Sequence, residues 1–558
     1  MSVGSGSHLD AARVRDAASC RQWLGALPAD GGERLAGIGA LLGRLNRPGV
    51  AADPLFEILE QLRVEQVRAI ERLLAPLVAR PVPFADAEWQ RVGIALASLR
   101  GSRDLFKRAY AQMLANAGGD TRSIIPGATN ALRVVMPLAR ALDAQARIVS
   151  LLLRHRSVPL DADWDALCVL ARHMRRTTFQ DEALLDEVPL VRPATARALF
   201  VYPLLLHGAA LPSRAIAEAS FAERLASRLA AKVGFRIDES AAGASPHGPT
   251  FQLTPRHAVR LDTHHLPASI ARRRQQWLAS GADASTRRAM PLTESALNAL
   301  LDDLERCWTI VAGAGPSVVT AAGAAATNPG FPGGARLRFG LPRVHSSDLN
   351  AREPTGAPVT GRDAGYVYGG WEQNTIMRLV LGGEGDRHEH AGLVMAEGET
   401  VDRIEGRPGG RLVFERHGLA PRATVGALVA IAAQAGLLLG TIESVEQIPD
   451  VDYLRVRGHR LTVRCWAGKP VPAGVKIGDA LSFTDAWLLP GDTAAGELPS
   501  LVLAPGRAFA GARAVLREPD RDLPIRFASL IERGPGYERL SLRTEDPRQR
   551  HGRAADLG

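Results

Sequence analysis

The chain is predicted to be an α+β multidomain protein, with an N-terminal all-α helical-hairpin bundle followed by a C-terminal antiparallel β-barrel-like domain. Three observations carry this. Apolar residues recur at helical spacing through residues 1–234, short alternating segments punctuated by Gly, Pro and Asp fill 335–543, and an aperiodic Ala/Gly/Thr/Pro-rich stretch, 311–334, stands between them. At 558 residues the chain exceeds what one core organises, and 46% apolar with 23% charged residues is ordinary globular composition.

The helical reading rests on stripes. Glu33 to Asn46 places Leu35, Ile38, Leu41, Leu42 and Leu45 on one face and stops before Pro48. Asp53-Pro54 reads as an N-cap followed by proline at the first helical position, and Leu55, Ile58, Leu59, Leu62, Ile70, Leu73 and Leu77 continue the period. Trp89, Val92, Leu96, Leu99, Phe106, Tyr110 and Met113 repeat it, and further helices are expected at about 128–155, 162–176, 193–207 and 213–232. The pairs Arg154-His155 and Arg175-Arg176 fall at helix ends, where a positive charge meets the helix dipole favourably. Residues 235–310 then read as a small α/β linker module with three short strands and two helices, residues 311–334 as a flexible linker, and 544–558 as a disordered tail.

Val425 to Ile442, VGALVAIAAQAGLLLGTI, is the most apolar stretch, with Gln434 as its one strongly polar residue. As one helix it would nearly span a bilayer. Gly426, Gly436 and Gly440 weaken a helix, however, and no second spanning segment exists, so two buried strands joined around Gln434-Ala435-Gly436 are expected and no membrane span. Arg336–Leu341, Thr375–Leu381, Arg411–Glu415, Tyr453–Val456, Leu461–Trp466, Ala480–Phe483, Ser500–Leu503 and Ala512–Leu516 are the other candidate strands.

Little in the chain points to catalysis. Cys20, Cys168, Cys307 and Cys465 lie more than a hundred residues apart, which suits neither a zinc site nor a disulfide framework. His388-Glu389-His390 offers two imidazoles but no third ligand, and Gly313-Ala314-Gly315 lacks the third glycine of a dinucleotide loop. Asp262 or Thr263 beside His264-His265 reads as a helix cap, and Asp302, Asp303 and Glu305 as a solvated helix face. No GxSxG, HExxH, Walker A or CxxC motif occurs, so no catalytic residue, metal or cofactor is expected. The N-terminus lacks the apolar core of a signal peptide, and a cytoplasmic location is expected. The net charge of +9 permits a polyanionic partner, but arginines spread over solvated helix faces account for it, and nucleic acid is not favoured.

Several stretches carry a resemblance: SCRQWLGALPADGG and GRLN near the start, RLRFGLPRVHS (336–346), RLVFERHGLAPRATVGALVAI (411–431), LLLGTIESVEQIP (437–449) and IRFASLIERGPGYERLSL (525–542). In this order they resemble proteobacterial cytoplasmic proteins with a long helical N-terminal region and a PilZ-like C-terminal domain, with RLRFGL as the first barrel strand. The resemblance implies binding of cyclic di-GMP through an RxxxR arm before that strand and a D/NxSxxG turn. Both are eroded here: NPGFPGGA precedes Arg336, and in IEGRPGGRL Glu405 and Arg407 stand where the acceptor and serine would be. Arg403, Arg407, Gly410 and Arg411 remain as candidate ligand residues, because guanidinium is planar and grips phosphate in two-pronged fashion. The expected function is a non-enzymatic cytoplasmic regulatory or adaptor protein with a degenerate PilZ-like domain and a protein partner on its helical region. The alternatives are a functional cyclic di-GMP receptor and, second, a basic nucleic-acid-binding protein.

Overall fold

The computed structural model describes residues 11–118, 131–177, 179, 181, 195–238, 248–279, 292–309, 318–320, 336–339, 403–407, 411–417, 425–433, 436–480, 482–491, 498–518 and 521–544, less single positions at 48, 79, 81, 83 and 452. The expected strand Thr375–Leu381, the motifs His388-Glu389-His390 and Gly313-Ala314-Gly315, and the tail after Thr544 lie outside the described residues. Two compact units are formed, Met1–Ala324 with Glu446–Gly458, and Ala325–Val445 with His459–Gly558.

The first unit is helical. Its leading helices are α1 (Ala17–Ala26), α2 (Gly31–Leu45), α3 (Ala52–Leu74), α4 (Asp86–Asn116), α5 (Ala131–Arg154), α6 (Asp161–Arg175), α7 (Ala196–Gly208) and α8 (Ile216–Leu229). Asp30 caps α2 by accepting from the backbone N–H groups of Gly32 and Glu33. At α3 the structure departs from the sequence reading. The cap is Ala51, without a side-chain bond, and Asp53 and Pro54 lie inside the first turn, where the missing proline N–H costs nothing. Asp53 instead holds Arg133 at 2.9 Å.

Helix α5 is the axis of this unit. It packs against α4, α6 and α7 and is buried along nearly its whole length, including Arg140, Asp143 and Arg147. Strands β1 (Gly234–Asp238), β2 (Thr250–Thr254), β3 (His257–Asp262) and β4 (Val318–Thr320) form a sheet in the order β1-β3-β2-β4, with β4 parallel to β2. Phe251, Leu253, Val259 and Leu261 of this sheet join the helical core, as do Leu266 and Ile270 of α9 (Leu266–Ala279) and Leu300, Leu304 and Trp308 of α10 (Glu294–Trp308). β2, β3, α9 and α10 thus share one core with the helices, with Trp308 donating from Nε1 to Leu205 O at 2.8 Å.

The segment Glu446–Gly458 belongs to the helical unit through named bonds. Gln447 is fully buried. Its amide accepts from Phe84 N at 3.2 Å and donates to His155 O at 3.3 Å, while its backbone N–H donates to Arg156 O at 2.8 Å. Tyr453 donates its hydroxyl to Asp163, accepts there from Leu160 N at 3.2 Å, and lies under the Arg100 guanidinium.

The second unit is antiparallel β. β5 (Arg336–Phe339), β6 (Arg403–Arg407), β7 (Arg411–His417), β8 (Leu428–Ala433), β9 (Gly436–Pro449) and β10 (Val456–Cys465) are ordered β5-β8-β9-β10-β7-β6. β11 (Val471–Ile477), β12 (Thr484–Leu489), β13 (Ser500–Leu503), β14 (Arg513–Glu518), β15 (Arg521–Gly534) and β16 (Tyr537–Thr544) close into a barrel, β11-β12-β13-β16-β15-β14. RLRF, the described part of the expected first barrel strand, is therefore the edge strand of the open sheet among the described residues, because the barrel closes on β11 through β16 and leaves β5 to pair with β8.

The apolar stretch Val425–Ile442 is a hairpin, with Ala433 opposite Gly436 and Leu428 opposite Thr441. Strand alternation explains its cover. Ala486, Leu488, Leu501 and Leu503 point into the barrel core, while Trp487, Leu489 and Val502 point outward and pack with Leu428, Ala430 and Leu439 of the hairpin. Both faces of the hairpin are buried, which is why its sequence shows no polar alternation.

Candidate ligand-binding site

The residues singled out in the sequence fall on the β6/β7 hairpin. Arg407 stands directly opposite Arg411, and Arg403 opposite Glu415. Strand alternation puts these four positions on one face together with Glu405 and Val413, so three arginine and two glutamate positions share it. Gly410 lies outside the described residues.

Arg411 is already engaged. Its Nε donates to Glu443 Oε2 at 2.5 Å and its Nη2 to Oε1 at 3.2 Å, and the hydrogen bond to Glu443 holds its pKa above the ordinary arginine value. Glu443 also meets Arg464 Nε at 3.4 Å, and Arg464 Nη2 reaches Glu532 Oε2 at 2.9 Å. Glu532 Oε1 accepts from Thr441 Oγ1 at 2.6 Å and from the Tyr537 hydroxyl at 2.8 Å. Burial pushes the Glu532 carboxyl up, but the bonds from Thr441 and Tyr537 and the Arg464 charge outweigh it, and its pKa lies below the usual value. Glu415 takes both Nε and Nη2 of Arg460, at 2.9 and 2.7 Å. An alternating run of charges thus leads from Arg411 to the barrel strand β15, and a phosphate at Arg411 competes with Glu443.

The helical unit holds a cavity of about 420 Å³ that the sequence reading did not anticipate. Ile70 and Leu74 of α3, Leu99 of α4 and Leu199 of α7 give it apolar walls. Arg147 and Ser150 of α5 bring polar groups, both nine-tenths or more buried. Arg147 donates from Nε to Asp143 Oδ2 at 2.8 Å, while its Nη1 and Nη2 and the Ser150 hydroxyl find no hydrogen-bond partner among the described residues. At the rim, Arg154 pairs with Glu223 at 3.0 Å, and Glu223 accepts from the Tyr202 hydroxyl at 3.2 Å. One signal was present in the sequence: Arg140, Asp143 and Arg147 recur at helical spacing in a helix rich in Ala, Leu and Val, which marks charges that face a neighbour.

Other singled-out residues have structural partners. Buried His155 is held neutral: its pKa falls to about 3, from burial and then from the neighbouring Arg154 charge, so it carries no charge to a helix end. Asp303, read from sequence as solvated, accepts from buried Arg214 at 2.6 Å. His264 is held by Asp262 at 2.6 Å. Among the described residues no His, Cys, Asp or Glu cluster could hold a metal ion, and no helix is long and apolar enough to cross a membrane.

Residues 18–240 match a family model described as "Cyclic-di-GMP receptor FimW, N-terminal domain". The match covers α1 from its second residue, all of α2 to α8, and every residue that lines the cavity. No curated protein and no solved structure matches the chain.

Proposed function

We propose that the chain is a non-enzymatic cytoplasmic regulatory protein that receives cyclic di-GMP. The observation that carries this is the match of residues 18–240 to a family named for a receptor of that dinucleotide. The antiparallel unit with its closed barrel supports it, as the fold that the PilZ resemblance implies. The nucleotide phosphates are assigned to Arg403, Arg407 and Arg411. Binding would draw Arg411 from Glu443 and leave Glu443 to Arg464, altering the charge run that ends at Glu532. Retention of labelled cyclic di-GMP by the purified chain, competed by unlabelled cyclic di-GMP and not by GMP, tests this reading. Absence of retention would overturn it.

One observation favours a second reading, the adaptor with a degenerate PilZ-like domain and a protein partner on its helical unit. The two-pronged bond from Arg411 to Glu443 satisfies within the protein a charge that a receptor would present to its ligand. In that case Arg411 is a structural residue and the full chain ignores the dinucleotide.

A further inference from the structure

We propose that the cavity of the helical unit is a ligand site for an organic monoanion with an apolar body, its carboxylate held by Arg147. This goes beyond the cyclic di-GMP reading and does not depend on it. The cavity, about 420 Å³, lies within the roughly 300–1,000 Å³ typical of small-molecule sites. Its walls are aliphatic on three helices, through Ile70, Leu74, Leu99 and Leu199, and they offer a long apolar body dispersion contacts without asking it for hydrogen bonds.

The polar end is built from α5. Arg147 is 8% exposed and fixed by Asp143 through Nε, so the guanidinium cannot turn to water without breaking that bond. Its two Nη groups and the Ser150 hydroxyl, one turn further along the helix, lack protein partners among the described residues. Buried donors left in that state are costly, and a carboxylate provides two acceptors in the planar geometry that a guanidinium matches. The ligand is thus anionic at one end.

It carries one charge. Besides Arg147, the cavity is lined by Glu71, Asp143 and Glu223 against Arg154 and Arg224, with Arg154 already paired to Glu223, so carboxylates outnumber cations and a second negative group would face them. Cyclic di-GMP, with two phosphates and two polar purines, asks for donors along its whole length, which the aliphatic walls do not supply.

Calorimetric titration of the full chain with decanoate, and with 1-decanol as its uncharged counterpart, tests the site. Decanoate is expected to bind saturably and decanol at least about tenfold more weakly. Arg147→Gln is expected to remove most of that difference. Should this variant fail to fold, Val78→Glu serves instead: Val78 lines the cavity and is 56% exposed, so the substitution adds a negative charge without disturbing a packed core. It should weaken decanoate several-fold and leave decanol unchanged. Equal binding of decanoate and decanol, decanoate binding unaffected by the folded variant, or no saturable heat would overturn the proposal. So would displacement of decanoate by cyclic di-GMP, which would assign the cavity to the dinucleotide.

Discussion

Arg411 on β7 and Glu443 on β9 are joined by two hydrogen bonds, at 2.5 and 3.2 Å, that tie the candidate phosphate face to the interior of the open sheet. If cyclic di-GMP takes its phosphate contact from Arg411, Glu443 is its competitor. Glu443→Gln should then tighten binding about two- to fivefold, the measure of a partly exposed ion pair of up to about 1 kcal/mol. Arg411→Ala should weaken it. Titration of both variants checks the opposite signs, and equal affinities would remove Arg411 from the site.

Tyr453→Phe should destabilise the helical unit by about 1–3 kcal/mol, because it strips a buried hydroxyl that serves both Asp163 and the Leu160 N–H. Burial and then the Asp163 carboxylate hold this phenol above its ordinary pKa, so it remains a donor at neutral pH. The denaturant midpoint of the variant reads the loss.

The pH dependence of the same unit should carry a contribution from His155. Its pKa is about 3 when folded, against an ordinary 6.5, so between these values the unfolded chain binds a proton that the folded chain does not. Stability is therefore complete above about pH 6.5 and falls as the pH drops toward 3, by about 2 kcal/mol at pH 5 from this group. His155→Phe, placed against Phe84, should flatten that part of the profile. Identical pH 7 to pH 5 differences in the two proteins would contradict it.

Gly440→Ala should destabilise the sheet by about 1–3 kcal/mol or prevent folding. A Cβ at Gly440 would lie 2.6 Å from Arg464 O and 2.8 Å from Val463 Cγ1, so backbone would have to move. Thermal unfolding of the variant measures the effect, and an unchanged midpoint would show that β9 and β10 can separate at this point.

The hairpin Val425–Ile442 illustrates what the sequence made legible. Its glycines argued against a helix, and the pairing of β8 with β9 agrees, but the reason for Gly440 is the closeness of Arg464 across the sheet, which only the fold supplies. The stripes of α2 and α4 were readable because Leu35, Ile38, Leu41 and Trp89, Val92, Leu96 repeat with the helix period. Arg147 was not read as part of a site. A buried arginine and a solvated one are the same letter, and the distinction lies in Asp143 and in the walls contributed by α3, α4 and α7. Likewise nothing near Tyr453 in sequence announces Asp163, 290 residues away.

Calorimetric titration of the full chain with cyclic di-GMP, repeated with Arg407→Ala, tests the central claim most directly. The receptor reading predicts saturable heat with a fixed stoichiometry in the parent chain and its loss or strong weakening in the variant. No heat up to high micromolar nucleotide in the parent would contradict it and leave the chain as an adaptor.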